Sequence, residues 1–142
     1  SSTTLGELST VQLQNLSGAQ IAAAAANLST TQVAAFGTGQ LTSGAISALD
    51  TNSLLSSVST TAIAGLSTAV VATLSSTQLT DLSTVEIQAI SNSDISSIST
   101  TAIGNLSTAT LALFTYAQVQ NLTAAQFAAI PADDTSYLNI TA

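Results

Sequence analysis

Lysine, arginine, histidine, cysteine, methionine and tryptophan are all absent from the 142-residue chain, and proline occurs once, at Pro131. Each absence closes off a class of chemistry. Without His or Lys there is no ordinary general base for a Ser or Thr nucleophile, and without Cys there is neither a thiolate nor a zinc–thiolate site. The carboxylates of Glu7, Asp50, Asp81, Glu86, Asp94, Asp133 and Asp134 give a net charge of −7, with no cation to neutralise phosphate. Nucleic acid and anionic membrane surfaces are therefore excluded as partners. The expectation is a protein that is not an enzyme, with no catalytic, cofactor-binding or metal-binding residue and no cofactor. Lack of Cys also means no disulfide framework, so the redox compartment stays open.

Long hydrophobic runs are missing too. Mean hydropathy is positive, yet the longest apolar run is Ile21 to Ala26, far short of the roughly 20 residues that a membrane-spanning helix needs. About a third of the chain is Ser plus Thr, a composition that borders on disorder. A regular series of Leu, Ile and Val supplies the apolar surface for a core, so the chain is expected to be folded, soluble and a single domain. It starts at Ser1 with neither an initiator Met nor a signal-peptide core, which suggests an excised or processed piece of something longer.

What is present is a period. A large apolar residue returns every eighth position at Val58, Leu66, Leu74, Leu82, Ile90, Ile98, Leu106, Phe114, Leu122 and Ile130. A second series stands five residues after each anchor, at Ile63, Val71, Leu79, Ile87, Ile95, Ile103, Leu111, Val119 and Phe127. The unit reads L-S/T-x-x-Q-V-x-x, as in Leu74-Ser75-Ser76-Thr77-Gln78-Leu79. Position two is Ser or Thr in every octad from Val58 onward. Gln78, Glu86, Gln118, Gln126 and, as the shorter acid, Asp94 fill the slot three residues later. Ser9 with Gln12, Ser17 with Gln20 and Ser29 with Gln32 repeat it earlier. This is the capping box, in which a hydroxyl takes a backbone N–H three residues on and the Gln or Glu reaches back to the cap residue's N–H.

One long helix cannot carry the pattern, because eight residues at about 100° each rotate the apolar stripe by roughly 80° per octad. A strand fails as well, since alternating steps of five and three put successive anchors on opposite faces of a pleat. The remaining solution is an all-α solenoid of short capped helical segments, one per octad, each buried only against its neighbours. Such segments are unstable alone, since isolated helices below about 12 residues are marginal in water.

Val58–Ile90 also matches Ile98–Ile130 at an offset of 40 residues, pointing either to duplication in blocks of five octads or to a superhelical repeat near that number. The solenoid is expected over residues 1–130, irregular before Val58, with a corner or loop at 37–44 where glycines cluster. Residues 131–142, PADDTSYLNITA, abandon the octad and read as a terminal cap or interaction segment.

The units LSTTQVAA, LSSTQLTD and LTAAQFAA resemble the degenerate octapeptide repeat arrays of large bacterial secreted and cell-surface proteins. The resemblance implies an extracellular or cell-surface location and a structural role in a filament, surface layer or adhesin stalk, without an active site. Self-association is the expected partnership, with the Tyr137–Ala142 tail of one copy packing on the Ser1–Leu8 region of the next to propagate a filament. The alternative is a binding module that recognises a carbohydrate, ice or a host surface through a Ser/Thr-rich face.

Several residues invite other chemistry. Glu86 and Asp94 could form a carboxylate pair for glycoside hydrolysis, but their shared slot favours capping. Asp133 and Asp134 with Thr135 and Ser136 offer oxygens to Ca²⁺, fewer than the six to eight it wants. The rows Ser59-Thr60-Thr61 and Ser99-Thr100-Thr101 could make a flat hydroxyl face. Asn15, Asn27, Asn105, Asn121 and Asn139 lie in glycosylation sequons, most of which arise automatically when Asn precedes an octad. Phe114 and Phe127 hold anchor slots and are expected in the core, whereas Tyr116 is expected at the surface as a contact residue.

Overall fold

The computed structural model describes residues 7–140, and every regular element among them is a short helix, with no strand. From Ser59 to Ile130 there is one helix in each octad, from Thr60–Ala64 through Ala124–Ala129. The local cause is visible at any corner. Leu82 (φ −73°, ψ 141°) and Ser83 (φ −68°, ψ 164°) are both extended, so an anchor and a cap together turn the chain between helices. Burial pulls the anchor inward, and the cap hydroxyl then satisfies an N–H of the next first turn. At the other end the helix tightens before it stops. Leu74 N–H bonds to the Val71 carbonyl and Ile90 N–H to the Ile87 carbonyl, three residues back, closing part of the C-terminal orphan set.

The chain divides into two compact units, Ser1–Leu66 and Ser67–Ala142. The boundary falls between two octads, in a repeat array that sequence alone gives no reason to split.

In the second unit the chain returns over itself every three octads. Thr68–Val71 packs against Asn92–Ile95, which packs against Tyr116–Val119; Ser76–Asp81, Thr100–Gly104 and Ala124–Ala129 form a second wall; Thr108–Leu111 packs against the 3-10 helix Ala132–Tyr137 in a third. A hydrogen bond from Gln88 Nε2 to the Leu113 carbonyl links the lower part of that third wall. One coil is thus 24 residues, and the unit holds three of them between residues 67 and 138. The 40-residue sequence match is therefore not the structural turn; of the two readings it allowed, block duplication is the one compatible with a three-octad coil. Both anchor series point inward: Leu79, Ile87, Ile95, Ile103 and Leu111 are buried together with Leu74, Leu82, Ile90, Ile98 and Leu106.

The 24-residue return needs close approach, and Gly104 supplies it. A Cβ there would stand 2.7 Å from the Ala129 carbonyl oxygen of the helix above. The C-terminal segment keeps more of the pattern than its sequence suggests. Leu138, eight residues after Ile130, is buried in the extended conformation of an anchor, and only the inner anchor is lost, to Thr135. A 3-10 helix with half an octad's core results.

The first unit follows the same plan with longer pieces. Gly18–Ala24 and the adjoining 3-10 turn Ala25–Asn27 pack against Ser43–Thr51, and Thr30–Val33 packs against the 3-10 turn Leu55–Ser57. The alanine-rich stretch that shifts the octad frame is therefore an extended wall, matched by an equally extended helix above it. The glycine segment forms a loop only over residues 37–42, since Ser43 and Gly44 already belong to the next helix. Gly39 turns there with φ +75°, in the left-handed region that glycine enters without steric cost.

Candidate functional site

A recurring polar element of the fold is the glutamine three residues after several of the caps. At Gln118 the side-chain carbonyl accepts the Thr115 N–H at 3.0 Å, completing a capping box. Its amide donates to the carbonyls of Ile87 (2.8 Å) and Ile90 (3.0 Å) in the coil beneath. Gln126 repeats this with Thr123 on one side and the Ile95 and Ile98 carbonyls on the other. Both glutamines are buried. One side chain thus starts its own helix and satisfies the end of a helix one coil below, where orphan carbonyls would otherwise be stranded.

The same joint occurs in the first unit at a place that looks like a loop. Gln40 accepts the Gly37 N–H at 2.7 Å and donates to the Leu13 and Leu16 carbonyls at 2.8 Å each. Phe36-Gly37-Thr38-Gly39-Gln40-Leu41 is an octad start whose cap is Gly and whose helix is lost. The spacing of Phe36, Gln40 and Leu41 was the signal, obscured by the glycines. The prevalence of Gln over Glu in this slot was a second one, because only the amide can donate downward.

Glu86 shows what the exception looks like. It is 1% exposed; its Oε2 accepts from the Ser83 N–H and hydroxyl, while Oε1 is buried with no hydrogen-bond partner. Asp94, expected to cap in the same slot, does not: Ser91 receives no side-chain bond from it, and its Oδ1 accepts instead from Thr68 Oγ1 at 2.6 Å. The Asp side chain is one methylene short of the cap N–H. The two carboxylates are engaged separately, one by its own cap and one by the coil below.

The remaining candidates resolve into backbone roles. Thr135 and Ser136 donate to the Ala132 and Asp133 carbonyls within their own 3-10 helix, and among the described residues no three acidic side chains converge. Asn15 and Asn121 donate to the carbonyls of Val11 and Ala117, four residues back, closing helix ends. Asn139 donates to Ala112 and Phe114 in the coil below. Thr100 and Thr101 are exposed, but their wall carries Ser76 and Thr77 beneath and Ala124 and Ala125 above, so the hydroxyl row ends within one coil.

Tyr116 is at the surface and Phe114 is buried, as expected. Phe127 is not in the core: it is 43% exposed, because among the described residues no further coil covers Ala124–Ala129. With Val119, Leu122 and Ile140 it lines an open, mainly apolar groove of about 450 Å³. At the opposite end of the sequence Leu8 and Leu16 are only half-buried, unlike the anchors of inner coils, and Gln12 and Gln20 are exposed. The tail contact expected from sequence involves Ser1–Gly6 and residues 141–142, which lie outside the described residues; Tyr137 and Ile140 of that tail are exposed. No helix among the described residues is long and apolar enough to cross a membrane.

Searches against family models, curated proteins and solved structures returned no match to this chain.

Proposed function

We propose that this protein is a structural repeat that self-associates to form or extend an extracellular filament, surface layer or adhesin stalk. The observation that carries the reading is Phe127, which stands 43% exposed in a slot that inner coils keep buried, beside Leu122 and Ile140 in an open apolar groove. An uncovered coil face of this kind is the surface that a neighbouring coil buries elsewhere in a repeat array. The likeness of the octads to bacterial surface-protein arrays supports the location. The absence of Lys, Arg and His from the sequence supports a role in building over one in catalysis. Recognition of ice or carbohydrate by a hydroxyl face ranks behind, because the Ser76, Thr100, Ala124 row does not persist.

Sedimentation velocity of the full chain over a hundredfold concentration range, followed by negative-stain microscopy, tests the proposal. The expected result is a mass that climbs with concentration and particles that lengthen. A monomer at every concentration, combined with saturable binding to a glycan array or to ice, would replace it with the binding-module reading.

A further inference from the structure

Resting on that self-association, we infer that the two terminal coil faces are the two halves of one glutamine joint, and that a second copy of this chain supplies the missing half. Within the first unit and between the last two coils of the second, a glutamine amide donates to two carbonyls below, one from the inner anchor and one from the following outer anchor: Gln118 to Ile87 and Ile90, Gln126 to Ile95 and Ile98, Gln40 to Leu13 and Leu16. At the N-terminal face the donors are unused. Gln12 and Gln20 have their carbonyls committed to the Ser9 and Ser17 caps, while their amide hydrogens meet no acceptor among the described residues.

At the C-terminal face the matching acceptors are unused. The Val119 and Leu122 carbonyls, and those of Phe127 and Ile130, hold the same octad positions as Ile87 and Ile90. None of the four receives a side-chain donor among the described residues, although the Val119 and Phe127 carbonyls keep the local backbone bonds from Leu122 and Ile130. The two sets share one spacing. Gln12 and Gln20 are eight residues apart, and so are the two carbonyl pairs, as they are for Gln118 and Gln126 over their own acceptors. The apolar surfaces correspond as well, with Phe127 exposed and Leu122 half-exposed on one face and Leu8 and Leu16 half-exposed on the other. A second copy seated with its first coil on the last coil of its neighbour places Gln12 over Val119 and Leu122 and Gln20 over Phe127 and Ile130. The contact is heterologous, so it leaves a free face of each kind and propagates.

The test exploits what Glu86 demonstrates, that a carboxylate keeps the cap but cannot donate downward. Gln12→Glu/Gln20→Glu should retain helicity yet raise the dissociation constant of self-association at least about tenfold, the loss of two buried donor pairs. Gln12→Glu alone should weaken association by about threefold or more, whereas Gln14→Glu, which adds the same single charge two residues away on an exposed position, should stay within about twofold of the parent, since a surface charge alone contributes little. Phe127→Ser should weaken association from the opposite face. Mixing the Gln12→Glu/Gln20→Glu chain with the Phe127→Ser chain pairs one intact face with the other and should yield dimers that grow no further. If the parent associates and the Gln12→Glu/Gln20→Glu chain associates equally, or Gln14→Glu weakens it as much as Gln12→Glu, this joint is wrong while self-association stands. If the parent stays monomeric, both fall.

Discussion

Replacing Gln118 by Ala removes three hydrogen bonds at once, two downward to Ile87 and Ile90 and one to the Thr115 cap. The consequences differ by partner. The Ile87 carbonyl keeps the Ile90 N–H at 3.2 Å, whereas the buried Ile90 carbonyl loses the side-chain bond it accepts and the half-buried Thr115 N–H loses its cap. A buried acceptor left unsatisfied costs about 1–3 kcal/mol and a lost cap about 1 kcal/mol, so the two together cost roughly 2–4 kcal/mol, before any cavity left by the lost side chain. Gln12→Ala is the internal standard, because Gln12 is exposed and supports only a cap; its loss should cost no more than about 1 kcal/mol. Urea unfolding followed by circular dichroism at 222 nm measures both, and the m-values show whether the same surface is exposed. Equal destabilisation of the two variants, each near 1 kcal/mol, would mean that the downward bonds contribute nothing and that coils are held by apolar anchors alone.

Other substitutions probe the remaining parts of the joint. Glu86→Gln should stabilise the fold by about 1–3 kcal/mol, since it keeps the cap and removes the charge of a carboxylate that is 1% exposed with Oε1 unpartnered, and an unchanged or lower urea midpoint would contradict this. Ser75→Ala leaves the Gln78 N–H uncapped and should cost about 1 kcal/mol, read in the same assay; no loss would make the hydroxyl surface decoration. Gly104→Ala gains up to about 1 kcal/mol of helix propensity but forces a Cβ to 2.7 Å from the Ala129 oxygen. Overpacking of this kind costs about 1–3 kcal/mol, so net destabilisation is expected, and a more stable variant would show that the coils are not in close contact there.

The octad and its caps were legible because they are local. A hydroxyl followed three residues later by Gln needs only its own turn to act, and the eight-residue return of large apolar residues rules out both a long helix and a strand. The number of octads per coil was not legible, because it depends on the backbone angles at each anchor and cap, which no side-chain pattern encodes. The 40-residue match left block duplication and a five-octad superhelical repeat both open, and the packing has three octads per coil. Asp94 misled by its slot, since one methylene separates a cap from a bond to Thr68. Phe127 misled because an anchor slot guarantees burial only where a further coil exists. Gln40 was hidden because glycines replaced the helix while the spacing of Phe36, Gln40 and Leu41 survived. The downward bond itself joins residues 24 to 31 apart in sequence, beyond the reach of any motif reading.

The three-octad coil can be tested directly because the chain contains no cysteine. Thr80 Oγ1 and Thr110 Oγ1 lie 3.4 Å apart in adjacent coils, close to the separation that a disulfide closes with small adjustment. Thr80→Cys/Thr110→Cys should form an intrachain disulfide under mild oxidation, seen as loss of both free thiols in unfolded, non-reduced protein at monomer mass. Thr80→Cys/Gln120→Cys, spaced by the five octads of the sequence match, should keep its thiols. A crosslink in the second pair and none in the first would contradict the three-octad coil on which the whole account is built.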